Sequence, residues 1–225
     1  MPAPMTASDD PQDHALDDEP AVAARKRPRP GERRVQILQT LAAMLQQPGG
    51  ERVTTAALAA RLGVSEAALY RHFASKAQMF EGLIDFIEQS LLALVRQVQE
   101  REAPGVQQAA RIVTMVLHFA EKNPGMTRVM TGEALVLENE RLQERMNLLF
   151  DKIESVLRQT LREGAALSTT ASTAASTSTP AADAQVKASL MMAFALGRLQ
   201  QFARSGFKRP VMLHLDACLA LLRGN

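Results

Sequence analysis

Apolar residues recur along this chain at the three-and-four spacing of helices that each bury one face. Over residues 32–47 they fall at Val35, Leu38, Leu41, Ala42 and Leu45, and Pro48-Gly49-Gly50 stops the pattern. A short helix is predicted over 56–62, capped by the hydroxyl of Thr54 or Thr55 and closed by Gly63, which accepts left-handed backbone at little cost. Ser65 caps a second short helix over 66–73, and Ser75 caps a long one over 76–101. On the long helix, Phe80, Leu83, Ile84, Ile87, Leu91, Leu94, Val95 and Val98 share one arc and form a buried stripe. Phe86 falls outside it. Residues 106–122 are apolar nearly all round, as in a helix central to a bundle, and Asn123-Pro124-Gly125 ends them.

A short helix over 126–131 and a long amphipathic one over 138–162 follow, the latter striped by Leu142, Met146, Leu149, Phe150, Ile153, Leu157 and Leu161. Residues 164–183 are almost wholly Ala, Ser and Thr with one Pro, which predicts a mobile linker without chemistry. Two more helices are predicted over 184–204 and 211–222. The fold class is therefore all-α. An arm over 1–30, predicted disordered, precedes an N-terminal three-helix helix-turn-helix domain over 31–78 and a C-terminal helical domain over 79–225.

Composition supports this and narrows the chemistry. Hydrophobic residues make up 46% of the 225, but aromatics only 4%, with no Trp, so the core is built from Leu, Val, Ile, Met and Ala. The lone Cys218 excludes an internal disulfide and a multi-cysteine zinc site. No apolar run approaches a membrane span and the first residues do not read as a signal peptide, so a cytoplasmic protein is expected. Phosphate-loop, zinc-protease and nucleophile-elbow motifs are absent, and the four histidines (His14, His72, His118, His214) are scattered; no enzyme, cofactor or metal is expected.

Charge is segregated. Of 24 acids, six fall within residues 1–24, which hold no Lys or Arg, so the 26 bases face 18 acids elsewhere. Six bases crowd into Arg25, Lys26, Arg27, Arg29, Arg33 and Arg34. A solvated arm would show such a block, and so would one that tracks phosphates just ahead of a DNA-reading unit.

The informative stretch is 54–73. Small residues at Ala59 and Ala60 suit a close helix crossing, Gly63 turns the chain, and Val64 and Leu69 anchor the second helix while its other face stays free. A hairpin used only for packing would share part of this pattern. The run Tyr70-Arg71-His72-Phe73 before Ser75-Lys76 favours a DNA-facing unit.

These residues resemble the DNA-binding domain of the TetR family of regulators, and Leu69-Tyr70-Arg71-His72-Phe73 with Ser75-Lys76 carries the likeness. Segments farther on (Phe86-Ile87-Glu88, Asn123-Pro124-Gly125, Thr131-Gly132, Arg141-Leu142-Gln143, Arg204-Ser205 and Phe207-Lys208) resemble the nucleoid-occlusion branch of that family. The resemblance implies a homodimer paired through the last two helices, with Gly197 allowing close approach, and a palindromic double-stranded DNA site. It implies base-edge contacts from Ser65, Glu66, Ala67 and Ala68. Phosphate contacts would come from Thr54, Thr55, Tyr70, His72 and Lys76, and phosphate or minor-groove contacts from Arg33 and Arg34 in the basic block. It further implies that the DNA-bound protein antagonises the tubulin-like division protein FtsZ, through a surface including Phe86, Glu88, Met115, His118, Lys122 and Asn123. Whether Phe86 and His118 are exposed or packed stays open at this level. So does a ligand-responsive repressor, whose pocket would lie among Phe119, Phe150, Phe194, Phe202 and the methionines Met115, Met130, Met146, Met191 and Met192.

Overall fold

The computed structural model describes residues 31–47, 52–169 and 180–223; the arm over 1–30 and the middle of the expected linker lie outside them. Among the described residues there is no strand. The order is α1 (Glu32–Leu45), α2 (Thr55–Leu62), α3 (Glu66–Tyr70), α4 (Lys76–Arg101), α5 (Val106–Lys122), α6 (Pro124–Met130), a 3₁₀ turn (Glu133–Leu135), α7 (Glu140–Thr169), α8 (Pro180–Arg204) and α9 (Leu215–Arg223).

Local chemistry sets the first four helices. The Thr54 hydroxyl accepts from the Ala57 N–H at 3.1 Å, and Gly63, at φ 65°, ends α2 in the left-handed region that a side chain would resist. Ser65 accepts from Ala68 N–H at 3.3 Å and Ser75 from Gln78 N–H at 3.1 Å. Packing then draws these helices together. Ile37, Leu41 and Leu45 of α1 are buried with Leu58, Leu69, Phe73 and Phe80, so the head is built on α1 and on the start of α4.

Two details of the head depart from the expected pattern. The buried face of α1 runs through Ile37, Leu41 and Leu45, one helical face at steps of four, whereas Val35 is exposed. Ala59 is buried at the α2 crossing, but Ala60 points to solvent. In both cases an apolar residue lies about 100° or more off the face that the neighbours cover.

α4 continues without a break from the head into the second domain, where α4, α5, α7 and α8 pack side by side, α7 against α8 most extensively. α6 wedges between α1 and this bundle. Phe119, Phe150 and Phe202 are buried with Met130, Met146, Met191 and Met192, while Phe194 and Met115 are half-buried against them. Leu94 is only half-buried, at the edge of the α4 stripe.

The linker expected over 164–183 is shorter than its composition suggests. α7 runs on to Thr169 and α8 starts at Pro180, so 164–169 and 180–183 are helical. Gly164 explains the first extension. A Cβ there would stand 2.3 Å from the Gly105 Cα, so the missing side chain lets α7 pass directly against the turn between α4 and α5. Proline at the head of α8 loses no helical hydrogen bond. At the other end, residues 211–214 form a turn rather than helix, and His214 at φ 53° delays α9 to Leu215.

Candidate nucleic-acid interface

α3 buries one residue, Leu69, which is 1% exposed. Ser65, Glu66, Ala67 and Tyr70 face solvent and Ala68 is half-buried, so the first turn of this helix projects from the head. Small side chains at Ala67 and Ala68 leave the backbone close to anything that docks there. Such a profile fits a groove and not a core.

Side chains around α3 pin it. The Thr55 hydroxyl donates to a Glu66 carboxylate oxygen at 2.7 Å, joining the start of α2 to the start of α3. The carboxylate also sits at the positive end of α3, where the helix dipole favours it. Thr54 is exposed beside it, with its oxygen already capping α2. Arg34 donates to the His72 carbonyl at 2.8 Å, and its guanidinium carbon lies 4.0 Å from the centre of the Phe73 ring. Arg34 thus ties α1 to the residues after α3. Arg33 stays local, donating to Gln36 at 2.8 Å.

The His72 and Tyr70 side chains are exposed on the same short segment, and so is Arg71, which sequence reasoning did not place in the site. The sequence signal for it is a cation lying between two expected phosphate contacts, Tyr70 and His72. Lys76, first residue of α4, is engaged differently. Its ammonium lies 2.5 Å from a Glu138 carboxylate oxygen, from the turn before α7.

The second set of expected residues is divided between surfaces. Phe86 is 49% exposed, and His118 and Lys122 face solvent on α5, with Met115 half-buried a turn away. Between α4 and α5 lies a groove of about 550 Å³ lined by Ser90, Ala93, Leu94, Arg96, Gln97, Glu100 and Phe119. The Asn123 amide donates to the Phe119 carbonyl at 2.7 Å and so closes α5. Glu88 is turned to α7 instead, accepting from Lys152 at 2.5 Å and from Arg145 at 3.2 Å. The Lys152 hydrogen bond is the largest influence and holds the Glu88 pKa below the ordinary carboxylate value, against the effect of burial and with help from Arg145.

A bundle that carries a capped, outward-facing helix after a glycine turn defines a helix-turn-helix regulator. Comparison with known proteins agrees. Residues 37–83 match the family of bacterial regulatory proteins of the tetR type, and residues 105–223 match the tetracyclin repressor-like C-terminal domain of the SlmA-like kind. The nucleoid occlusion factor SlmA of Idiomarina loihiensis is 49% identical over 185 residues, covering 82% of this chain and 90% of that protein. The same factor from Shewanella sediminis is 48% identical over 189 residues, covering 82% and 89%. Among solved structures, the fatty acid degradation regulator FadR from Bacillus halodurans superposes with a TM-score of 0.66 at 13% identity, over 85% of this chain and 95% of that one. The ketosteroid transcriptional regulator KstR2 of Mycobacterium tuberculosis gives 0.65 at 18%, over 85% and 93%. These two show the shared fold. The chain belongs to the TetR family of DNA-binding regulators and, within it, to the nucleoid occlusion factors of the SlmA type.

Proposed function

We propose that two copies of this chain present their α3 helices to successive major grooves of a palindromic chromosomal site, and that the DNA-bound dimer inhibits FtsZ assembly over the nucleoid. The observation that carries this is the exposure of Ser65, Glu66, Ala67 and Tyr70 around a single buried anchor, Leu69. Ser65, Glu66, Ala67 and Ala68 meet base edges; Tyr70, His72, Thr54, Thr55, Arg33 and Lys76 meet phosphates, with Arg34 mainly holding the segment in place. The site of action is the nucleoid in the cytoplasm.

Pairing of two copies is supported by α8. Val186, Leu190, Ala193 and Gly197 recur at helical spacing and all face solvent in the single chain, and among the described residues a Cβ on Gly197 would meet nothing within 4 Å beyond its own stretch of helix. An apolar stripe that ends on a glycine fits a second helix at close range. Leu221 of α9, 77% exposed, extends the apolar surface. The FtsZ-facing surface is the α4–α5 side, with Phe86, Met115, His118, Lys122 and Asn123, and with Glu88 acting from its clasp with α7.

The test is binding of purified FtsZ with and without a palindromic duplex that the protein selects from a random pool. Tighter contact when the duplex is present supports the reading. Duplex-independent contact, or none, together with release of DNA by a small molecule such as an acyl-CoA, would replace it with a ligand-responsive repressor.

A further inference from the structure

The Lys76–Glu138 pair joins the head to the second domain across 62 residues of sequence. Lys76 is the first residue of α4, at the positive end of a helix about 39 Å long whose first turn holds no acid. A cation is electrostatically out of place there unless an anion answers it. In the free protein that anion is Glu138, whose side chain is 13% exposed against 33% for Lys76. The two residues before it, Val136 and Leu137, are 77% and 67% exposed, so their apolar side chains do little to pack this turn.

From this geometry we infer that Glu138 competes with the DNA phosphate for Lys76, so that one carboxylate of the second domain sets how tightly the head binds DNA. The inference rests on the proposed role of Lys76 as a phosphate contact. To reach a phosphate, the ammonium leaves Glu138 and exchanges one anion for another. Glu138 is then left largely buried with its charge unanswered. Affinity is therefore held below what the head alone would reach. Any event that draws the Glu138 turn away from α4 raises it.

The experiment is a double-mutant cycle in the full-length dimer, using a fluorescent duplex that the wild-type protein selects from a random pool, titrated over a range of salt. Glu138→Gln is expected to bind about two- to fivefold more tightly, and the gain is expected to vanish in the Lys76→Ala background. Glu140→Gln, an exposed acid two residues on, controls for the loss of one negative charge near DNA and is expected to change affinity less. Thermal unfolding of each variant confirms that the fold is kept, and Glu138→Ala repeats the measurement should the glutamine disturb the turn. Weaker or unchanged binding by both Glu138 variants, with Lys76→Ala impaired, would overturn the competition while leaving the phosphate contact in place. A gain that persists in the Lys76→Ala background would overturn it too. Should Lys76→Ala keep both affinity and salt slope, the phosphate role itself fails, and the competition with it.

Discussion

Gly125 lies so close to α1 that a Cβ on it would stand 1.9 Å from the carbonyl oxygen of Ala42. Three residues on, Arg128 donates to the Leu45 and Gln47 carbonyls, both at 2.8 Å, and is 6% exposed. The end of α1 therefore rests directly on α6. The position of the head is set by backbone contact and by one buried guanidinium that satisfies carbonyls left over at the helix terminus.

Gly125→Ala is expected to push α6 off α1 and to destabilise the protein by about 1–3 kcal/mol, the usual effect of forcing volume into a packed contact. Urea unfolding measures it through the midpoint. Wild-type stability in this variant would mean that α1 and α6 separate freely.

Tyr70→Ala removes a side chain that is 45% exposed, so unfolding should move by no more than about 0.5 kcal/mol. DNA affinity is expected to fall by a similar factor across sequences, with the salt slope nearly unchanged, because the neutral phenol releases no counterion when it meets a phosphate. Binding isotherms at several salt concentrations decide this. Undiminished affinity at every salt concentration removes Tyr70 from the phosphate contacts.

Phe86→Ala is expected to leave unfolding and DNA binding as they are, because the ring is half in solvent and lies off the buried face of α4. Inhibition of FtsZ assembly by the DNA-bound protein is expected to be lost, since large exposed aromatic side chains anchor interfaces. Light scattering of FtsZ polymers with the DNA-loaded variant reads the outcome.

The clasp of Glu88 with Lys152 and Arg145 should make α4–α7 packing sensitive to acid. Because the folded-state pKa of Glu88 is lowered, its contribution to stability is complete above the unfolded carboxylate value. It is lost as pH falls through the lower folded value. Glu88→Gln is therefore expected to be less stable than wild type near neutral pH, with the gap closing in that acidic window. Denaturant midpoints across pH follow this, and a gap that stays constant would show that Glu88 does not titrate with folding.

The helix-turn-helix could be read from the chain because its signals are local. Thr54, Gly63, Ser65 and Ser75 act on backbone groups within three or four residues, and a cap or a left-handed glycine works the same way whatever packs around it. The α4 stripe was legible for the same reason, since a helix repeats its faces at a known angle. The sequence alone therefore determined that this protein is helical and carries a short capped helix after a glycine turn. It also determined where the long buried face of α4 runs. Tertiary structure decided what depends on residues far apart. It left Val35 and Ala60 in solvent, carried α7 past Gly164 through its contact with Gly105, and turned Glu88 to Lys152 and Lys76 to Glu138. The last pair is separated by 62 residues. Periodicity says which side of a helix is apolar; only the arrangement of the other helices determines which charge waits opposite.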